Sequence, residues 1–236
     1  MTTVLSEYER VWFMDDDMLL PSSKIHLFHK YLLCLFPKNY TPIIAQGLIS
    51  GHEQHFTYLN ARNWSDTVVL ATASGFIEQQ VPIISSAFFQ WFIARVITPM
   101  MSTVLLIEAD WGFDAIWCNA ARAYALHVLH WHERDLQFIC AIFTSLPSIH
   151  HTHQSWMTVY NSRGYPRGRG RGRIGQSYYD ELSDKLARNN VLIGILKRVF
   201  PTWYIAGDSY SVSPHRLDSS NRFVWERVTE LPSVCL

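Results

Sequence analysis

Apolar and polar positions fall in blocks along the first two-thirds of this chain, and their period separates strands from helices. Val11 to Met14 are four consecutive apolar residues that stop on three aspartates, the pattern of a short strand covered on both faces. PSSKIHLFHKYLLCLF offers a capping serine, then Ile25, Phe28, Leu32 and Leu35 on one helical stripe, with Pro37 closing the helix. Ile43 to Ile49 reads as a strand, HEQHFTYLN as an alternating edge strand, and Thr67 to Ala73 as a further β-rich run before the Ser74–Gly75 turn. In GFIEQQVPIIS a strand carries Glu78 and ends at Pro82. Val81 to Ile107 is the most apolar stretch. Gln90, Arg95 and Pro99 interrupt it, so it reads as a buried helix, densest from Ile84 to Ile97, followed by a strand, rather than a membrane span. Gly112 to Leu126 is a helix opening at W-G-F-D, and Phe138 to Phe143 is a final strand leading to His150 and the cluster IHHTHQSW. Such alternation predicts a layered α/β fold.

The remainder differs. RGYPRGRGRGRIG, residues 163 to 175, cannot bury a core and reads as a flexible basic linker. Beyond it, Tyr178 to Phe200 is a helix with Asp180, Glu181 and Asp184 near its start and Lys197 and Arg198 near its end, matching the helix dipole. The tail to Leu236 fits no known module. The division is therefore 1–160, a linker at 161–176, and 177–236. Hydrophobic residues at 48% exclude a largely disordered chain, and a net charge of zero points to neither nucleic acid nor an acidic partner. Cys34, Cys118, Cys140 and Cys235 are scattered without a C-x-x-C pair, so they read as reduced thiols. The N-terminal MTTVLSEYERV lacks a signal-peptide core, and no membrane segment is expected.

Chemistry concentrates at four places. Asp15, Asp16 and Asp17 are costly to desolvate together unless a cation neutralises them. On an extended chain Asp15 and Asp17 point the same way and suit a hard ion such as Mn²⁺ or Mg²⁺. Glu78 stands in an apolar setting. Asp110 and Asp114 flank Trp111 and Gly112; Asp110 also suits an N-cap and Trp111 core packing. His150, His151 and His153 end the last strand.

That order, D-x-D, then G-F-x-E-x-x-x-P before an aromatic-rich helix, then W-G-x-D, then strand plus histidine, resembles the family catalogued as domain of unknown function 707, over about residues 8 to 156. Its members are regarded as glycosyltransferases with a GT-A-like nucleotide-sugar fold, a mixed sheet flanked by helices. The resemblance implies a nucleotide-sugar donor and an acceptor of unknown kind. It implies that Asp15 and Asp16 contact the donor and that Asp15, Asp17 and His150 hold the ion. Asp114 would be the general base of an inverting reaction, Glu78 would bond the acceptor or orient the site, Trp111 would stack on a sugar, and Gly112 would allow close backbone approach. Relatives often work in the secretory pathway. This chain departs from the family in three respects. Only fourteen residues precede Asp15, so the base-binding half is expected to be missing, an absence that would leave the protein an inactive fragment. The late strand reads AIFTSLPSIHH without the family's aspartate. The Arg-Gly segment and tail lie outside the resemblance.

Two other readings exist. A haloacid-dehalogenase-like phosphohydrolase also places D-x-D after an apolar strand, but it wants Thr or Val where Leu19 stands. A non-enzymatic RNA-binding or interaction protein would act through Arg163, Arg167, Arg169, Arg171 and Arg173, with Tyr165 the sole aromatic among them.

Overall fold

The computed structural model describes residues 5, 7–15, 18–36, 41–50, 71–73, 76–109, 112–136, 139–150, 173–203 and 227–228. Strands β1 (Arg10–Trp12), β2 (Met18–Leu19), β3 (Ile44–Ser50), β4 (Ala71–Ala73), β5 (Ile83–Ser85), β6 (Cys140–His150) and β7 (Arg227–Val228) form one mixed sheet. Their order is β1-β5-β3-β6-β4-β7, with β2 joined to β6. The central β3–β6 pair is parallel, and the other pairs are antiparallel. The helices are α1 (Ser22–Cys34), α2 (Ser86–Phe92), α3 (Thr98–Ile107), α4 (Asp114–His127) and α5 (Arg173–Val199).

The pleat sorts the core into two layers. Ile44 and Leu48 of β3, Ile84 of β5 and Cys140 and Ile142 of β6 point to one side, where they meet Phe88, Phe92, Val96, Met100, Ile116, Trp117 and Ala120 from the helices after β5. Ala45, Ile83, Ala141 and Phe143 point to the other side and meet Phe28, Tyr31 and Leu32 of α1 and Leu35 and Phe36 just past its end. Phe28 and Phe143 sit edge-on at 4.6 Å there. Helices thus cover both faces of a mixed sheet, the architecture expected from the alternating blocks.

Several local expectations are corrected. The strand before the aspartates is β1, a half-buried edge strand with a single partner, β5, rather than a fully buried one. In α1 the stripe is Phe28, Tyr31, Leu32 and Leu35. Ile25 is exposed, and Pro21, not a serine, stands at the N-cap without a side-chain bond. Pro82 precedes a strand instead of ending one, since β5 starts at Ile83. Across Val81 to Ile107 the order is strand then helix, the reverse of that expected. The helix passes through a π turn, Ile93–Ile97, directly before Pro99, whose missing N–H such a widened turn accommodates. By length and composition Ser86–Ile107 is one apolar helix long enough to cross a membrane.

Helix α5 begins at Arg173, inside the predicted linker, and Leu192 and Leu196 enter the same core cluster as the central strands. Past its end, Trp203 stacks on Phe200 at 5.0 Å and accepts a bond at its carbonyl from Asn119 Nδ2 at 3.0 Å. Leu192 to Trp203 therefore pack on the core of the first region, and β7 extends its sheet. Residues 163 to 172 of the Arg-Gly run and the HEQHFTYLN segment lie outside the described residues.

The cysteines are corrected too. Cys118 of α4 and Cys140 of β6 form a disulfide with Cα atoms 5.9 Å apart, and Cys34 is also disulfide-bonded. Scattered spacing concealed this, because the bond joins a helix to the strand beneath it.

Proline at position 147 falls inside β6, where it cannot donate to the ladder. The register absorbs it: Gly47 pairs with Phe143 and Ile49 with Ser148, so β6 bulges. Gly47 faces that bulge, and a Cβ there would run into the Leu146 carbonyl.

Candidate active site

Three segments meet at one end of the sheet. Beyond β1 the chain keeps its pairing, with Phe13 N–H donating to the Pro82 carbonyl at 2.9 Å and Asp15 N–H to the Gln80 carbonyl at 2.9 Å. The Trp12 indole adds a bond to the Val81 carbonyl at 3.2 Å. From the opposite direction, Trp117 of α4 donates to the Ile77 carbonyl at 2.8 Å. The loop from Phe76 to Val81 is clamped between these contacts, and Glu78 lies at its middle.

Clamping brings carboxylates together. Glu78 and Asp114 are both buried, and Glu78 feels the charges of Asp114 and Asp15. Burial first, then those two neighbours, pushes the Glu78 carboxyl up to about 8. Burial likewise pushes Asp114 up to about 7, against the N–H groups of Ala115 and Asp114 itself, which favour the ionised form. Asp114 occupies the first helical turn of α4, as its position in W-G-F-D predicts. Among the described residues neither Glu78 Oε1 nor Asp114 Oδ1 has a hydrogen-bond partner. Two desolvated carboxyls side by side resist ionising together, so the pair retains a proton near neutral pH, the condition for acid–base work.

Gly112 has φ +125°, a conformation that L side chains rarely adopt. A Cβ there would stand 3.2 Å from Ile193 Cγ1, because α5 packs directly on the loop leading to Asp114. Close approach is realised here, and the approaching group is the chain's own helix. Arg188 of α5 reaches Glu108 at 3.6 Å, an exposed pair of small energetic weight.

Met18 N–H donates to the Asp15 carbonyl at 3.1 Å. Immediately afterwards β2 pairs Met18 with His150. The structure therefore brings Asp15, Glu78, Asp114 and Gly112 to one region, and it places the backbone of His150 beside the residue that follows Asp17. Asp16, Asp17, Asp110, Trp111 and the His150 side chain lie outside the described residues. Among the described residues no group of three or more His, Cys, Asp or Glu side chains is arranged to hold a metal ion.

One polar residue escaped the sequence reading. Gln46 of β3 is fully buried, and among the described residues neither atom of its amide has a partner. Its signal was a lone amide in the apolar run IIAQGLIS.

The chain matches no family model, no curated protein and no solved structure.

Proposed function

We propose that the chain is a metal-dependent glycosyltransferase with a GT-A-like fold, related to the domain of unknown function 707 family and using a nucleotide-sugar donor. The observation that carries this reading is the meeting of Asp15, at the start of the D-x-D, with the buried pair Glu78 and Asp114. A mixed sheet with helices on both faces is compatible with it.

In this reading Asp114 takes the proton of the acceptor hydroxyl, and its raised affinity for protons, near 7, suits a base working near neutral pH. Glu78 stays protonated at that pH and offers a hydrogen bond to the acceptor while holding the charge of the pair to one. The loop clamp from Trp117 and Asp15 fixes the distance between them. The oxygen donors fit a hard cation, Mn²⁺ or Mg²⁺, and the neighbourhood of Met18 and His150 supports Asp15, Asp17 and His150 as its holders. Bound there, the ion would offset charge on the departing diphosphate. The disulfides favour an oxidising compartment, in keeping with a secretory location.

Calorimetric titration with Mn²⁺ and then with sugar nucleotides, on the wild type and Asp17→Ala, tests the proposal. Mn²⁺-dependent nucleotide binding that disappears in the variant is expected. A folded chain that binds no sugar nucleotide at any Mn²⁺ concentration rules the donor site out.

A further inference from the structure

The ladder shows where Gln46 stands. β3 pairs Ile44 with Ile84 of β5 and Gln46 with Ile142 of β6, so Gln46 shares the face of Ile44, Leu48 and Ile142. One step past the β3–β5 pairs, the same register sets Gln46 beside Pro82, whose carbonyl accepts from Phe13. Two residues before Pro82, the Gln80 carbonyl accepts from Asp15 N–H. Helix α4 lies over this face, since Ile116 and Trp117 pack in the cluster that contains Ile44 and Leu48. Asp114 is one turn before Trp117.

At this end of the sheet, then, lie buried polar atoms without partners among the described residues: both amide atoms of Gln46, Gln80 Oε1, Glu78 Oε1 and Asp114 Oδ1. A folded protein leaves few such groups, because each gives up its hydration without compensation. Apolar residues of the same size would remove the cost of Gln46, so its presence marks a place where local stability is sacrificed for binding. The set offers several acceptor oxygens and one NH₂ donor. A ring of neighbouring hydroxyls, each able to donate and accept, complements that inventory.

We propose that Gln46, Gln80, Glu78 and Asp114 form a hydroxyl-binding subsite for a hexose ring, with Gln46 the residue that selects hydroxyl orientation. The choice of a hexose over another polyol rests on the glycosyltransferase reading. The ring can belong to the acceptor or to the sugar of the donor, and the two are separable by experiment.

The test uses the full chain with Mn²⁺ and compares uridine diphosphate, uridine-diphosphate glucose and galactose, and the methyl glycosides of glucose, galactose and mannose, by calorimetry and saturation-transfer NMR. Gln46→Leu preserves volume and removes the amide. Glycoside binding, or tighter binding of a nucleotide hexose than of the bare nucleotide, is expected in the wild type, and the variant should weaken it by about tenfold or more. Its affinity for uridine diphosphate should stay unchanged, and its thermal midpoint should be no lower. Glycosides responding alone assign the acceptor; an effect confined to the nucleotide hexoses assigns the donor sugar. A folded Gln46→Leu chain with wild-type sugar affinity overturns the subsite, as does a wild type in which the hexose adds nothing to nucleotide binding; in that case the transferase reading survives. Glycoside binding without any nucleotide binding leaves the subsite standing and removes the transferase reading.

Discussion

The indole of Trp117 donates to the Ile77 carbonyl at 2.8 Å, and this buried bond joins the first turns of α4 to the loop that carries Glu78. Asp114 precedes Trp117 by one helical turn, while Glu78 follows Ile77 directly. One side chain therefore sets the spacing of two carboxyls that come from distant parts of the sequence.

Replacing Trp117 with Phe should cost about 1–3 kcal/mol from the stranded carbonyl alone, with a further loss from the vacated volume. Urea denaturation measures the first effect. Carbon-13 titration of labelled Glu and Asp measures the second consequence, a fall of the Glu78 value toward the ordinary glutamate range as Asp114 recedes. An unchanged Glu78 titration in a folded Trp117→Phe protein would show that the bond does not hold the pair.

Stability should depend on pH in a direction the pair dictates. Glu78 moves from 4.5 up to about 8 on folding and Asp114 from 3.8 up to about 7. Both bind protons more tightly in the folded state, so their contribution is complete below about pH 4 and declines as pH rises through 7 to 8. Glu78→Gln should flatten this decline across pH 5 to 8 in denaturation curves. A wild-type protein whose stability rises steadily over that range would contradict the assignment.

Two glycines should respond to the same substitution with opposite sign. Gly47→Ala drives a methyl into the Leu146 carbonyl within the Pro147 bulge, so several kcal/mol should be lost or the chain should fail to fold. At Gly194, within α5, a Cβ meets nothing within 4 Å among the described residues, and alanine should stabilise the helix by about 0.5–1 kcal/mol. Thermal melts of the two variants decide the matter.

The Cys118–Cys140 bond closes a loop of sequence separation 22. Replacing both cysteines with alanine should cost about 3 kcal/mol. Denaturation of the double variant against the oxidised wild type reads this directly, and equal stability would mean that packing of α4 on β6 suffices.

Element order and type were legible where local physics decides them. The runs around Ile43 to Ile49 and Gly112 to Leu126 became β3 and α4 because period and flanking residues agree. Asp114 and Glu78 could be singled out from their types and setting. Their mutual approach could not, since it depends on the Trp117 bond and on β1 pairing with β5. The π turn before Pro99, the bulge at Pro147 and the disulfide all answer to tertiary partners invisible in a local window. Gln46 went unnoticed for the converse reason: one amide barely alters the hydropathy of a strand, although burying it without partners among the described residues is costly.

Ile193 covering Gly112 has a consequence for biosynthesis. As the polypeptide leaves the ribosome from its N-terminal end, strands β1 to β6 and the glycine loop emerge well before α5. Until α5 arrives, that loop and the core around Ile116 stay uncovered. The carboxyl pair thus gains its final surroundings late in translation, and a nascent chain paused before Leu192 would hold every candidate acid and base without the wall that orders them.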